Sequence, residues 1–101
     1  MILNVHKRGK DMVVAACDEA ILDKTFRGGE LKLYVSKRFY GEETCNEAEL
    51  IAALRTCTSA NLVGEEVIEV AIKAGFIEKG SVIYVGEVPH AQLYKAPQNL
   101  R

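Results

Sequence analysis

The chain contains no tryptophan, only two prolines and two histidines, and three cysteines. Cys17, Cys45 and Cys57 are odd in number, widely spaced and without a C-x-x-C pair. That pattern argues against a disulfide framework and for reduced thiols. His6 and His90 are too few to complete a common zinc site without thiol or carboxylate help, so no metal is assigned and no cofactor is called for. Long apolar runs are lacking as well. The longest early one, Met12 to Cys17, falls far short of the roughly 18 residues that cross a bilayer. No basic region followed by an apolar stretch stands at the N-terminus, so a secretory signal is not expected and the chain reads as cytoplasmic, with no membrane partner. An excess of one charge is missing too: thirteen Lys+Arg against fourteen Asp+Glu give a formal net charge of −1. This excludes a uniformly basic nucleic-acid coat while leaving room for a local basic patch.

What is present is an ordinary soluble composition, 49% hydrophobic and 27% charged over 101 residues. One domain is expected over residues 1–96, with residues 97–101 as a C-terminal tail. Charge is unevenly spread. Residues 1–40 hold eight basic and five acidic side chains, whereas residues 41–80 hold three and eight.

Ile2, Leu3 and Val5, then Met12 to Ala16, read as two strands joined through Gly9 as an antiparallel hairpin. Asp18 is placed to cap a short helix through Asp23, since its carboxylate can accept from unpaired first-turn amides. Gly28-Gly29 ends that excursion. Leu31, Leu33 and Val35 then alternate with polar residues as one buried strand face, and Phe39-Tyr40-Gly41 turns the chain. Thr44 with Glu47, or Asn46 with Glu49, forms a capping box ahead of a helix carrying Leu50, Ile51, Leu54 and Cys57. Thr58 to Asn61 interrupts it, with Asn61 as the cap of a second helix. Val63, Val67, Val70, Ala71 and Ala74 form its stripe, and Gly75 its C-cap. Val82 to Val85 is a strand, Gly86 to Pro89 a connection, and Ala91 to Lys95 a last strand. The expected class is α+β: a small, mostly antiparallel sheet with the two central helices packed on one face.

Several residues have functional readings. Cys17 stands before a helix start, where a thiolate is stabilised, and with His90 as base it would be a reactive nucleophile; the alternative is a small buried hydrophobe. In Val88-Pro89-His90-Ala91-Gln92, proline stiffens the chain that presents an imidazole and an amide to a phosphate, a base edge or a neighbouring backbone. Asn61 is a cap or a ligand contact. Lys7, Arg8 and Lys10 crowd a hairpin tip; Lys24 and Arg27 flank Phe26; Lys37 and Arg38 precede Phe39 and Tyr40. Cations interleaved with aromatics suit phosphate contact and base stacking, although solvated hairpin tips look the same. The carboxylate pairs Glu42-Glu43 and Glu65-Glu66 are adjacent, so neither is a ready acid–base dyad.

Ala16-Cys17-Asp18-Glu19, Lys24 to Arg27, Val35-Ser36, Phe39 to Gly41, Ala60 to Glu65, Ala74-Gly75 and Val88 to Gln92 together resemble an archaeal domain-of-unknown-function family, the one numbered 424. The resemblance implies a small archaeal cytosolic protein, carries over no enzymatic activity, and suggests RNA binding. On the residues, the leading expectation is therefore a non-enzymatic module for RNA or a ribonucleoprotein. Lys7, Arg8, Lys10, Lys24, Arg27, Lys37 and Arg38 would meet phosphates, and Phe39, Tyr40, His90 and Gln92 bases. The alternatives are an adaptor whose acidic helical half docks a basic protein while the Val88–Gln92 edge extends a partner's sheet, and a small Cys17/His90 enzyme.

Overall fold

The computed structural model describes residues 1–95; the expected tail lies outside the described residues. Strand β1 (Ile2–Arg8) and strand β2 (Asp11–Cys17) form the anticipated hairpin. Gly9, at φ +60°, takes the first central position of its two-residue turn, where an L side chain would be strained. A single 3-10 turn (Glu19–Ile21) follows. The next hairpin, β3 (Thr25–Gly28) and β4 (Leu31–Tyr34), is a separate two-stranded sheet, so Gly28 is the last residue of a strand and Gly29 begins the turn into the next. Leu31 is 51% exposed and Val35 is buried, which breaks the expected buried face at its first member.

Two helices come next. The one-turn α1 (Lys37–Tyr40) is capped by Ser36, and α2 (Glu47–Thr56) starts from the second of the two capping registers. Asn46 Oδ1 accepts from Glu49 N at 2.8 Å, and Glu49 Oε1 accepts from Asn46 N at 2.9 Å. Ser59 to Val63, expected as a helix break and helix start, is instead strand β5 at the centre of the sheet. Helix α3 (Glu65–Lys73) follows directly, with Gly64 as its N-cap residue. Strands β6 (Ile83–Val85) and β7 (Val88–Tyr94) close the fold through the two-residue turn Gly86-Glu87. Val88, Pro89 and His90, expected in a connection and its exit, thus belong to a strand.

The main sheet is mixed, with order β1-β2-β5-β7-β6; β2 and β5 run parallel and the other pairs antiparallel. Strand alternation divides the buried residues into two clusters. Val14, Ala16, Ala60, Leu62 and Ala91 join Leu50 and Leu54 of α2 and Val67 and Ala71 of α3. On the opposite side, Ile2, Ala15, Cys17, Val63 and Val88 join Val35 and Tyr40, with Phe26, Leu33 and Phe39 packed at the rim. The short strands and α1 therefore cover only one end of that second face. The approach is close enough that a Cβ on Gly28 would collide with the Gly86 backbone nitrogen.

Candidate functional site: the open half of the sheet

Register dictates which side chains share this face, which is covered at Ala15 and open toward β5, β7 and β6. His6, Val13, Ser59 and Tyr94 are paired across four strands; the next row is Asn4, Ala15, Asn61 and Gln92; the row after that ends in His90 and Ile83. Strands stand about 4.8 Å apart, so His6 and Tyr94 lie roughly 14 Å from each other. Two depressions flank the centre. One, of about 480 Å³, is lined by His6, Arg8, Asp11, Val13 and Phe39; the other, of about 290 Å³, by Ser81, Ile83, His90, Gln92 and Tyr94.

At the second of these the Asn61 and Gln92 amides pair, Gln92 Nε2 donating to Asn61 Oδ1 at 3.0 Å. This leaves the Asn61 NH₂ as a donor and the Gln92 carbonyl as an acceptor, groups of the kind a base edge can pair with. Both histidines have a fixed tautomer. His6 Nε2 lies 2.8 Å from the Phe39 carbonyl, which can only accept, so Nε2 holds the proton and Nδ1 is open. Asn4 Nδ2 donates to the same carbonyl at 3.1 Å. The His6 ring stacks on Phe39, with centroids 5.0 Å apart and planes 11° apart. His90 Nδ1 donates to the Leu62 carbonyl at 3.0 Å, leaving Nε2 as a free acceptor on the open face. Tyr94 is 73% exposed, the most exposed large apolar side chain among the described residues.

The residues singled out from sequence divide as follows. Arg8, Phe39, Asn61, His90 and Gln92 share this face, Arg8 and Phe39 at one depression and His90 and Gln92 at the other. Lys7 and Lys10 sit on the β1–β2 hairpin, and Lys37 and Arg38 on α1, docked beside it through Phe39. Lys24 and Arg27 do not join them. Arg27 instead lines a separate cavity of about 680 Å³ with Asp18, Phe26, Glu65 and Pro89, where acidic neighbours offset its charge. Tyr40 is 4% exposed and has no surface to offer a base; burial pushes its phenol well up. Asn61 caps no helix, because it stands mid-strand. Cys17 is fully buried, and burial followed by the adjacent Asp18 charge pushes its thiol up to about 11, the reverse of an activated thiolate. Register places His90 two strands from Cys17, roughly 10 Å away and beyond proton-transfer reach. In the Val88–Gln92 segment β6 pairs with Val88, Pro89 and His90, and β5 with His90, Ala91 and Gln92, so only His90 is paired on both sides.

Two residues of this face have no functional reading in the sequence. His6 and Tyr94 were detectable through alternation, since 90, 92 and 94 oppose apolar 91 and 93, as 4, 6 and 8 oppose 3 and 5. Asp18 was read with the right chemistry and the wrong helix. Its carboxylate caps α3, accepting from Glu66 N at 3.0 Å and Val67 N at 2.9 Å, while the 3-10 turn after it has no side-chain cap. Among the described residues no helix is long and apolar enough to cross a membrane.

No protein of curated function matches the chain. Among solved structures, an uncharacterized conserved protein from Methanopyrus kandleri has the same fold, with a TM-score of 0.76 at 25% identity over 99% of this chain and 97% of that one. The family model described as a protein of unknown function (DUF424) matches residues 6–96, and the chain belongs to that family.

Proposed function

We propose that the protein is a non-enzymatic RNA-binding module, free or within a ribonucleoprotein, that holds single-stranded RNA across the open half of its sheet while α2 and α3 cover the other face. The observation that carries this reading is the Asn61–Gln92 amide pair, which lies beside the exposed Tyr94, one row along the strands from the line that joins Tyr94 to the His6–Phe39 stack. Aromatic faces at both ends of a row bind bases without regard to sequence, and an amide pair in the adjoining row adds a hydrogen-bonding choice. Lys7, Arg8, Lys10, Lys37 and Arg38 supply phosphate contacts along one side. A double helix fits poorly, because its bases are already paired and stacked; unpaired bases can lie on the strands.

The test is fluorescence anisotropy with a labelled single-stranded RNA of mixed sequence. Tyr94→Ala is expected to weaken binding by about 1–3 kcal/mol, the usual worth of one base–aromatic stack. Lys24→Ala with Arg27→Ala should leave affinity within twofold. Absence of salt-dependent binding, or an equal loss from both variants, would remove the reading.

A further inference from the structure

Strand β6 is an outer strand of the sheet, and what surrounds it has the form of a second binding site. In a two-residue hairpin the flanking pair, Val85 and Val88, exchanges both backbone hydrogen bonds, so the next pair, Tyr84 and Pro89, does not. Tyr84 therefore directs its N–H and C=O away from the sheet. Its side chain is 61% exposed and that of Ile83 is 51% exposed, an unusual load of apolar surface for so short an edge. Beside this edge runs a groove of about 440 Å³, floored by Ile68 and Ile72 of α3 with Tyr84 and Pro89 of the sheet.

The groove is polar at both ends, with opposite signs. Glu65 and Glu69 line one end, and Lys73 and Lys79 the other. Glu65 also borders the cavity containing Gly86, whereas Lys79 immediately precedes β6, so the acidic end lies by the C-terminal end of β6. At about 1.5 Å per helical residue, Glu65 and Lys73 are roughly 12 Å apart along α3. In an extended chain, side chains on one face recur every second residue, and positions i and i+4 are about 13 Å apart.

We propose that this groove takes an extended segment of a partner protein, which adds to β6 as an antiparallel strand and carries a basic residue, then an apolar one two positions later, then an acidic one two beyond that. The antiparallel direction places the segment's N-terminal, basic residue against Glu65 and Glu69. Its apolar side chain covers Ile68, Ile72 and Tyr84, and its acidic residue meets Lys73 and Lys79. Backbone bonds to Tyr84 supply the pairing, and the charge order fixes direction and register. This site is independent of the RNA reading, since Tyr84 and α3 line the groove on the sheet face opposite His90 and Gln92.

The experiment is an amide chemical-shift titration of the full chain with the blocked peptide Lys-Thr-Val-Thr-Glu and its charge-swapped counterpart Glu-Thr-Val-Thr-Lys. The first is expected to shift Tyr84, Ile68 and Ile72 saturably and to bind at least tenfold tighter than the second. Glu65→Lys with Glu69→Lys should abolish that preference. Tyr84→Pro removes only an outward N–H from the backbone and is expected to retain the wild-type melting temperature while lowering affinity more than tenfold. Equal binding of the two peptides, or no saturable shift at Tyr84, overturns the proposal. So does a Tyr84-dependent dimer in sedimentation velocity, which would make a second copy the occupant. Shifts of these same amides by single-stranded RNA in place of peptide would overturn it as well.

Discussion

Replacing Asp18 with alanine tests how the two halves of the chain are tied together. Its carboxylate accepts two first-turn amides of α3, a helix that begins 47 residues further on. Loss of an N-cap costs about 1 kcal/mol, and loss of a half-buried negative charge at the positive end of a helix up to a similar amount, so Asp18→Ala should cost about 2 kcal/mol. Gly64 makes the test sharper. Its backbone, at φ +111° and ψ 153°, lies where only glycine is comfortable, and a Cβ there would collide with the Asp18 carboxylate. Gly64→Ala should therefore cost about 2 kcal/mol in backbone strain, plus about 2 kcal/mol for driving the carboxylate off its amides. In the Asp18→Ala background the second part is already lost. The double variant should cost about 4 kcal/mol rather than the roughly 6 of an additive pair, a coupling near 2 kcal/mol. Urea unfolding followed by far-ultraviolet circular dichroism measures all four species. Additivity to within about 0.5 kcal/mol would refute the cross-chain cap.

Other consequences are simpler to measure. Gly28→Ala forces a Cβ against the Gly86 backbone and should cost about 2 kcal/mol in urea unfolding, whereas Gly80→Ala, with nothing within 4 Å, should be near neutral. Lys95 Nζ donates to the Leu54 and Arg55 carbonyls at 2.7 and 2.9 Å, where α2 leaves its last carbonyls unpaired; Lys95→Met should cost about 1 kcal/mol. The Cys17 thiol sits near 11 in the folded chain against 9.0 as its ordinary value, so the native state holds its proton more tightly. That contribution is intact below pH 9 and is lost as pH rises through 11; the urea midpoint should fall over this range, and fall less in Cys17→Ala. Iodoacetamide at pH 8 should label half-buried Cys45 first and leave buried Cys17 unlabelled until the chain unfolds, as peptide mass mapping would reveal.

The first hairpin and the α2 capping box were legible because local chemistry decides them: a glycine at a two-residue turn, and Asn46 three residues ahead of Glu49. Strand β5 was not. Ser59, Ala60 and Asn61 have weak strand preference, and Val63 happens to continue the 3.6-residue stripe of α3, so a helix accounted for the pattern equally well. Its strand state comes from partners distant in sequence, β2 on one side and β7 on the other. The same non-local cause explains Asp18, whose capping chemistry was visible while the helix it serves was not. The Asn61–Gln92 pair, 31 residues apart, follows once β5 is known to be a strand, and cannot precede it.

The cationic first forty residues acquire a different meaning once they are folded. Seven positive side chains were candidates for phosphate contact, but the fold sends Lys24 and Arg27 to the β3–β4 hairpin, where Arg27 shares a cavity with Asp18 and Glu65. Lys7 and Arg8 line a depression with His6 and Phe39, Lys10 stands in the turn of the same hairpin, and Lys37 and Arg38 are on α1 with Phe39. On the proposed reading, an RNA on the open half of the sheet meets the five cations of the β1–β2 hairpin and α1. For single strands, the logarithm of the binding constant falls with the logarithm of salt concentration by about 0.7 per phosphate contact. Five contacts give a slope of about −3.5, and seven about −5. A slope near the first value, unchanged by Lys24→Ala with Arg27→Ala, locates the phosphates beside β1 and α1. A slope near the second that drops to about −3.5 in that variant would put the β3–β4 hairpin in the footprint and move the site off the open sheet.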